Sequence, residues 1–432
     1  MPSHLTRRHF LGAAAALAAT PLLSKLPAAA HVAGSDRVKV GVIGTGKRGI
    51  GAARNCLDAD PSVQIWALGD IFPDCVENCL NKLRSGESIR GSKGGAPVAA
   101  DRIAVTKERC FTGFDAYKQV IASGVDLVLL TVPPQFRPQH LDAAIRAGKH
   151  VFAEKPVAVD PVGARKIIAT GELAAQKKLS IVAGTQRRYS LDYIETMKRV
   201  RDGAIGEIIA GQCYWMNEGS WHLGREPHWT DMEYQIRNWI YFRWLSGDHI
   251  VEQHIHNIDI MNWAMGGPPV KAVGMGGRQS RVDPKYGDIN DHFAIEYEYA
   301  SGARIQSMCR QAPGTMHRVG ERLVGAKGVA TPSGKITGVT NWKYEGNIPS
   351  AMVLEHVALI NSIRDRAPIN DARQVAESTL TAILGRACAY TGKEISYKWM
   401  LEASKQDLTP PRYALGDAPE VVVAIPGVTP LV

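Results

Sequence analysis

The chain has 432 residues, of which 45% are hydrophobic and 22% are charged. This length and composition are typical of a globular protein of about two domains and exclude a disordered or fibrous chain. The formal net charge is +9, but lysine and arginine form no dense run, so the charge does not indicate a nucleic-acid partner. The seven cysteines are scattered without a C-x-x-C pair, and no apolar run is long enough to predict a membrane anchor.

The first thirty residues have the composition of an export signal. The run Thr6–Gly12, TRRHFLG, precedes the apolar run Ala13–Ala19, and Ala28–Ala30 makes a small-residue cleavage site. An arginine pair followed by Phe-Leu resembles a twin-arginine signal peptide, with a Sec signal or a basic tail as the alternatives. We therefore predict a mature protein that is periplasmic or secreted and that is exported already folded.

A glycine-rich turn follows the first predicted strand. The strand Val38–Ile43 runs into a G-x-G-x-x-G pattern, and a helical pattern from about Lys47 to Leu57 comes next. The three glycines allow a tight turn, close approach of a pyrophosphate and close packing of the helix on the strand, while the helix N-terminus favours an anion. An ordinary glycine-rich loop is the alternative. The residues predicted to bind a dinucleotide here are Gly44, Thr45, Gly46, Lys47, Arg48 and Gly49.

The second predicted strand, VQIWALGD, ends at Asp70. This is the spacing expected for a carboxylate that binds the adenosine ribose hydroxyls, and such a carboxylate repels a 2′-phosphate. Asp70 therefore favours NAD. Lys47 and Arg48 could still attract that phosphate, which keeps NADP as the alternative.

Strands and helices alternate along the next part of the chain. After an exposed Gly/Ser/Lys-rich insertion between residues 74 and 107, the pattern predicts a parallel sheet with right-handed crossovers. Ligands of such sheets bind beyond the carboxyl ends of the strands, where Thr131–Pro134 and Glu154–Pro156 fall. The predicted elements are helix Phe114–Ile121, strand Val125–Thr131, helix Gln139–Ala147, strand His150–Ala153, helix Pro161–Lys177 and strand Ser180–Gly184.

The pattern changes after residue 190, where short strands joined by glycine turns predict an antiparallel sheet. Helices interrupt these strands at Leu191–Asp202 and near Asp248–Met265. Helices Met352–Arg364 and Gln374–Tyr390 then precede a proline-rich tail that is expected to wrap the surface.

Three motifs together resemble the Gfo/Idh/MocA oxidoreductases. They are the glycine turn Gly44–Gly49, the run AGKHVFAEKP at Ala147–Pro156, and an acid-x-x-x-His pattern at Glu252–His256. The resemblance extends from Val38 to about Tyr390. It implies an NAD(P)-dependent enzyme acting on CH–OH groups of a small-molecule carbohydrate.

The resemblance also implies an α/β fold. We expect a doubly wound parallel Rossmann sheet over residues 37–156 and a substrate and oligomerisation domain over residues 157–400. Residues 1–30 would be the signal peptide and residues 401–432 a tail. The second domain would be α+β with an open antiparallel sheet, whose exposed face often serves oligomerisation in the family, so a homo-oligomer is expected.

Lys155, His256 and Glu252 are the predicted catalytic residues. A lysine at a strand end, beside the expected nicotinamide, offers a cation to a developing alkoxide. His256 keeps the place of a family histidine that resembles a general acid–base, and imidazole suits this because its ordinary pKa lies near neutral. Glu252 would orient the imidazole, and helical spacing would place Glu252, His256 and Asp259 on one face.

Five further residues complete the predicted cofactor site. They lie at the carboxyl ends of strands or, for His140, at a position similar to one lining the family's cofactor pocket. They are Thr131, Pro133, His140, Glu154 and Lys155.

The substrate is predicted to be a sugar, a polyol or a glycoside. Aromatic residues interleave with polar ones between Tyr214 and Trp244, and flat rings with polar neighbours suit a sugar. For any single tryptophan, a place in the core is the better interpretation. The predicted substrate residues are Arg188, Tyr189, Trp221, His254 and Asp259.

A metal site is the alternative interpretation of the histidine cluster around His254 and His256. These two histidines are two residues apart, and on a helix such positions face different ways. No metal is therefore predicted.

The expected location constrains the chemistry. A periplasm offers no free nicotinamide pool, so the cofactor would be loaded in the cytoplasm, held tightly and restored within the site. A second substrate could take the hydride back, or the same molecule could be oxidised, cleaved by elimination, hydrated and reduced again. A non-catalytic sugar-binding protein is the third hypothesis.

Overall fold

The computed structural model describes residues 37–86 and 98–432. The predicted signal peptide and most of the Gly/Ser/Lys-rich insertion lie outside these residues. Two sheets organise the described chain, one of six strands and one of nine. The predicted fold class is confirmed, since the first sheet is wholly parallel and the second is mostly antiparallel.

The six-stranded sheet has the order β3-β2-β1-β4-β5-β6, and every neighbouring pair is parallel. The order reverses between β1 and β4, and a ligand crevice is expected at this switch point. Its central strands are buried apolar runs, because helices cover both faces. The strands are β1 Val38–Ile43, β2 Val63–Asp70, β3 Cys110–Thr112, β4 Leu127–Leu130, β5 His150–Ala153 and β6 Ile181–Ala183.

Two separate hydrophobic cores lie on the two faces of this sheet. One core contains residues of α3, α4 and α5, and the other contains residues of α1 and α2 together with Leu359 and Ile360. The helices are α1 Lys47–Ala59, α2 Pro73–Ser85, α3 Ala116–Ala122, α4 Arg137–Arg146 and α5 Pro161–Gln176.

The last strand of the parallel sheet lies beyond the predicted domain boundary at residue 156. Strand β6 pairs with β5 in parallel register, with Val151 opposite Ile181. The crossover helix α5 makes this pairing possible, because parallel neighbours need a long connection.

The nine-stranded sheet has the order β14-β13-β12-β11-β7-β10-β9-β8-β15. Its pairings are antiparallel except for β7 with β10, which is parallel, whereas the sequence predicted antiparallel strands throughout. The strands are β7 Ile208–Asn217, β8 Lys271–Gly277, β9 His292–Glu298, β10 Arg304–Gln311, β11 Arg318–Gly325, β12 Gly328–Thr331, β13 Lys335–Gly338, β14 Trp342–Lys343 and β15 Ile395–Ser396.

Helices pack on one face of this sheet and form a third core with it. Strand β9 shows the resulting alternation, because Phe293, Ile295 and Tyr297 are buried while their neighbours are partly exposed. The remaining helices are α6 Leu191–Arg201, α7 Asp231–Arg237, α8 Arg243–Ser246, α9 His249–Glu252, α10 Ile255–Met265, α11 Ala351–Arg364, α12 Ala372–Thr391 and α13 Tyr397–Glu402.

The helix predicted near Asp248–Met265 is divided in two. Helix α9 ends at Glu252, and α10 begins at Ile255 after the break at Gln253 and His254. Within residues 37–86 and 98–432, no helix combines the length and the apolar character that a membrane crossing requires.

Candidate active site

The glycine turn has the shape that a dinucleotide requires. Gly44 has φ +91°, and a Cβ there would lie 2.5 Å from the backbone nitrogen of Val132. A Cβ on Gly49 would lie 2.0 Å from the carbonyl oxygen of Gly44. A Cβ on Gly46 would meet nothing within 4 Å, and no side chain caps the N-terminus of α1. Open space in front of free helix N–H groups fits a pyrophosphate.

Asp70 lies beside this turn at the end of β2. Its carboxylate accepts hydrogen bonds from the backbone nitrogen of Thr45 at 2.6 Å and from Thr45 Oγ1 at 3.1 Å. It also accepts one from the backbone nitrogen of Phe72 at 3.1 Å. Burial raises the pKa of Asp70, and these hydrogen bonds oppose that shift. The carboxylate is thus fixed at the edge where a ribose is expected.

Arg48 lies on the other side of β1 from Asp70. Its Nε donates to Glu154 at 2.5 Å, and its Nη2 lies 3.7 Å from the buried carboxylate of Glu355. Glu154 follows β5, whereas Asp70 ends β2, and β1 and β4 separate these strands. Arg48 is therefore occupied away from the ribose edge, which removes one of the two cations that favoured NADP.

Thr131 connects the glycine turn to the end of β4. Its Oγ1 donates to the carbonyl oxygens of Ile43 and Gly44, at 3.1 and 2.5 Å. Pro133 follows two residues later and precedes the short turn into α4. Both predicted residues lie at the switch point between β1 and β4.

Lys155 and Glu252 form an ion pair between β5 and α9. Lys155 Nζ donates to Glu252 Oε1 at 2.9 Å and to the backbone oxygen of Glu252 at 2.5 Å. The two side chains are 12% and 13% exposed. The sequence predicted that Glu252 orients the imidazole of His256, but the structure places its carboxylate on the ammonium of Lys155.

His256 lies near the same ammonium. Burial lowers the pKa of His256 well below 6.5, and the positive charges of Lys155 and Arg187 lower it further. Its ring stacks on that of Trp215, with 5.7 Å between the centroids. The expectation of a near-neutral pKa is therefore wrong. The imidazole is uncharged at neutral pH and so is in the form that can accept a proton, while its lowered pKa makes it a weaker base than an ordinary histidine.

Asp259 does not share a face with Glu252 as predicted, because the helix breaks between them. Asp259 is buried, and its carboxylate accepts from Arg188 Nε and Nη2 at 2.8 and 2.9 Å. Ser378 Oγ donates to it at 2.8 Å. The predicted substrate residues Arg188 and Asp259 thus bind each other and stabilise the packing of α10 and α12.

His254 was also predicted to contact substrate, but it lies in the core. It is fully buried, its Nε2 lies 2.7 Å from Ser307 Oγ, and its Nδ1 lies 3.3 Å from Asn257 Oδ1. Burial lowers the pKa of His254 to about 3. Both ring nitrogens already have partners, so this histidine supports the sheet and does not contact substrate.

We expect His254 to make the protein less stable in acid. Its pKa is lower in the folded state than the ordinary 6.5, so the folded protein binds fewer protons and stability falls as pH drops below 6.5. One such group contributes about 1.4 kcal/mol per pH unit. Urea unfolding of His254→Gln between about pH 7 and about pH 5 should show a smaller pH slope than wild type. The exposed His228→Gln is the control, and an equal slope in both variants would contradict the assignment.

Of three other predicted residues, Tyr189 and His140 contact side chains of the protein itself, and Trp221 is exposed. Tyr189 donates to Asp371 at 2.8 Å, and burial raises the pKa of Tyr189. Trp221 is 38% exposed on the segment before α7. His140 stacks on Tyr117 at 4.0 Å, and burial lowers the pKa of His140 to about 3.

Two further arginines lie near the site. Arg137 is buried at the start of α4, and its Nη1 donates to the carbonyl oxygen of Pro156. Burial lowers the pKa of Arg137 to about 10, and the charges of Glu154 and Glu252 oppose this shift. Arg187 pairs with Glu321 on β11. The available signals were a charged residue three positions after Pro134 and the Arg187–Arg188 pair.

Two family models match the chain. One is described as an oxidoreductase family with an NAD-binding Rossmann fold and matches residues 38–182. The other is described as the GFO/IDH/MocA C-terminal domain and matches residues 193–331, so that together they cover about two thirds of the chain. The chain belongs to the Gfo/Idh/MocA family of oxidoreductases. The predicted family and the prediction of NAD are therefore confirmed.

Two individual curated relatives share less than 30% sequence identity with the chain. A "Glycosyl hydrolase family 109 protein" of Shewanella pealeana is 27% identical over 51% of this chain and 48% of its own length. An "Inositol 2-dehydrogenase" of Klebsiella pneumoniae is 29% identical over 53% of this chain and 54% of its own length. The chain thus spans about half the length of these two curated relatives.

A solved structure supports the fold. The aldose-aldose oxidoreductase of Caulobacter crescentus complexed with glycerol aligns with a TM-score of 0.64 at 16% identity. The alignment covers 83% of this chain and 99% of that chain. This chain therefore shares its overall fold with the Caulobacter protein. Within the described parts of the chain, no group of three His, Cys, Asp or Glu side chains is placed to hold a metal ion.

Proposed function

We propose that this protein transfers a hydride between a tightly held NAD and a hydroxyl-bearing carbon of a sugar, a polyol or a glycoside. The observation that carries the proposal is the contact of Lys155 with Glu252 beside the neutral His256, at the carboxyl end of β5. The positive charge of Lys155 is close enough to lower the pKa of His256, so a cation and a proton acceptor lie at the edge where the Rossmann domain binds nucleotide. These two groups are what oxidation of a carbinol requires.

The residues divide the work as follows. His256 accepts the hydroxyl proton at an imidazole nitrogen, because its lowered pKa keeps it uncharged at neutral pH. The ammonium of Lys155 stabilises the oxygen as negative charge develops on it. Glu252 positions that ammonium through the 2.9 Å contact. NAD, when bound, supplies the hydride acceptor.

The surroundings of His256 support a carbohydrate substrate. Trp215 stacks on His256, and its Nε1 donates to Gln253 Oε1 at 3.1 Å. A flat ring beside fixed amides suits the C–H face and the hydroxyls of a sugar. The names of two similar proteins, an inositol dehydrogenase and an aldose-aldose oxidoreductase, agree with this class.

Redox-neutral glycoside cleavage is the second candidate. The sequence similarity to a protein named as a glycosyl hydrolase favours it. In this reaction the site would oxidise a ring hydroxyl, eliminate the aglycone, add water and return the hydride, so that no cofactor is consumed. The same Lys155 and His256 would serve both redox steps.

We also propose export of the folded protein to the periplasm, where a retained cofactor would be needed. The arginine pair and apolar run of residues 7–19 support this. Self-association through the nine-stranded sheet is proposed as well, because Met275 is 72% exposed and Ile209 is 57% exposed on its strands.

The test begins with the purified mature protein. Denaturation should release a nicotinamide nucleotide that mass spectrometry identifies, and light scattering of the same sample gives the subunit count. The intact protein is then offered sugars, polyols and aryl glycosides without added cofactor. Reduction of the bound NAD supports the first candidate, and aglycone release supports the second. A protein that binds sugars and does neither would be the non-catalytic binder.

A further inference from the structure

The chain after α13 crosses the Rossmann domain as an extended segment, which we call the strap and define as residues 407–419. The backbone nitrogen of Leu408 donates to Asp160 Oδ2 at 2.8 Å. Further along, the backbone nitrogen of Met232 donates to the carbonyl oxygen of Gly416 at 3.0 Å. The strap is thus anchored to α5 at one end and to α7 at the other.

The middle of the strap lies on two loops at the carboxyl ends of strands. The ring of Tyr413 lies 6.2 Å from Phe114, which follows β3, and 5.2 Å from Phe136, which follows β4. Gln135 Nε2 donates to Tyr413 Oη at 3.1 Å and to Thr409 Oγ1 at 3.2 Å. In the sheet order, β2 and β1 lie between these two strands, so the strap spans the adenosine half of the crevice.

A cavity of about 310 Å³ lies under Tyr413. Its walls include the rings of Phe114, Tyr117 and His140. Its lining residue Gly113 donates its backbone N–H to the Asp70 carbonyl oxygen at 3.0 Å, so the cavity lies beside the end of β2. Aromatic faces near the strand end where a ribose is expected suit a nucleobase, which stacks on such rings.

Helix α7 closes the other side of the same edge. Arg237 donates to both carboxylate oxygens of Asp74, at 3.0 and 2.9 Å. Its guanidinium lies 3.9 Å from the centre of the Phe72 ring, two residues after Asp70. Helix α7 therefore contacts both the strap, through Met232, and the segment that follows Asp70, through Arg237.

We propose that the strap, with Tyr413 as its central residue, covers the adenosine end of bound NAD and slows its dissociation. The proposal rests on the proposed function, in which the cofactor stays bound while it is reduced and reoxidised. It assigns the C-terminal segment to the cofactor site, although that segment lies far from the nucleotide-binding motifs in sequence.

The test uses the full mature protein and its Tyr413→Ala variant. Tyr344→Ala is the matched control, because Tyr344 lies next to β14 and packs on Trp342. NADH is bound to each protein, and its fluorescence is followed after excess NAD is added. We expect Tyr413→Ala to release NADH about tenfold faster or more, because a stacking partner is lost, and Tyr344→Ala to release it at the wild-type rate.

Thermal unfolding of the cofactor-free proteins shows whether a variant is folded, so that faster release of NADH can be distinguished from misfolding. If Tyr413→Ala does not fold, Gln135→Ala takes its place, because it removes the two hydrogen bonds that Gln135 donates to the strap, and it should shift release in the same direction. A folded variant that releases NADH at the wild-type rate would overturn the proposal that the strap slows dissociation of the cofactor. A wild-type protein that binds no nicotinamide nucleotide would instead overturn the proposed function.

Discussion

Replacing Lys155 by methionine is expected to lower kcat by about 10²- to 10³-fold. The ammonium is held at 2.9 Å by Glu252, and in the proposed mechanism it stabilises the substrate oxygen as the hydride leaves. Methionine keeps much of the side-chain volume and removes the charge. The measurement is single-turnover reduction of bound NAD, followed by NADH absorbance with the best substrate of the panel.

The control is Lys166→Met, on the exposed surface of α5, which should keep wild-type turnover. Removing Lys155 leaves the carboxylate of Glu252 partly buried and unpaired, which costs stability. The double variant Lys155→Met/Glu252→Gln removes that penalty, and it should stay inactive while its thermal unfolding moves back toward wild type. Single-turnover rates near wild type in either variant would show that Lys155 does not act on the substrate oxygen.

The Rossmann half was readable from the sequence because its signals are local. Strand Val63–Asp70 was predicted with the bounds that the structure shows, since a mostly apolar run ends there at a carboxylate. Two glycines of the turn, Gly44 and Gly49, lack the space for a side chain, and the space at Gly46 is open, as a pyrophosphate requires. Such steric requirements act over a few residues, so a short pattern is enough to reveal them.

The second half was less readable because its pairings are between distant segments. The parallel pairing of β7 with β10 joins residues about a hundred positions apart, with Ala210 opposite Arg304. Alternation along one strand predicts which side chains face the core, but it does not specify the neighbouring strand or its direction. The sequence therefore predicted strands in this half correctly, but the prediction that all of them pair antiparallel was wrong.

The same limit applies to the site. A helical wheel placed Glu252 and Asp259 together, but the break at Gln253 turns α10 away from α9. His254 looked like a substrate contact until Ser307, from the distant strand β10, was found at its Nε2. Side-chain burial depends on elements brought together only by folding, and the pKa of His256 follows from that burial.

His256→Ala is expected to lower kcat for oxidation by about 10²- to 10⁴-fold. Its imidazole is uncharged above its lowered pKa, so the wild-type base form persists as pH falls below 6.5. The wild-type rate of oxidation should consequently not fall through an ordinary histidine titration between about pH 8 and about pH 6. A pH–rate profile with constant ionic strength measures this directly.

Added imidazole distinguishes a proton acceptor from a packing residue. The truncated side chain leaves space beside Trp215, and free imidazole in that space should restore part of the lost rate. The control variant His228→Ala, at an exposed histidine, should keep the wild-type rate of oxidation, and added imidazole should not change that rate. If imidazole restores nothing while NADH binding and thermal unfolding match wild type, the hydroxyl proton leaves by another group.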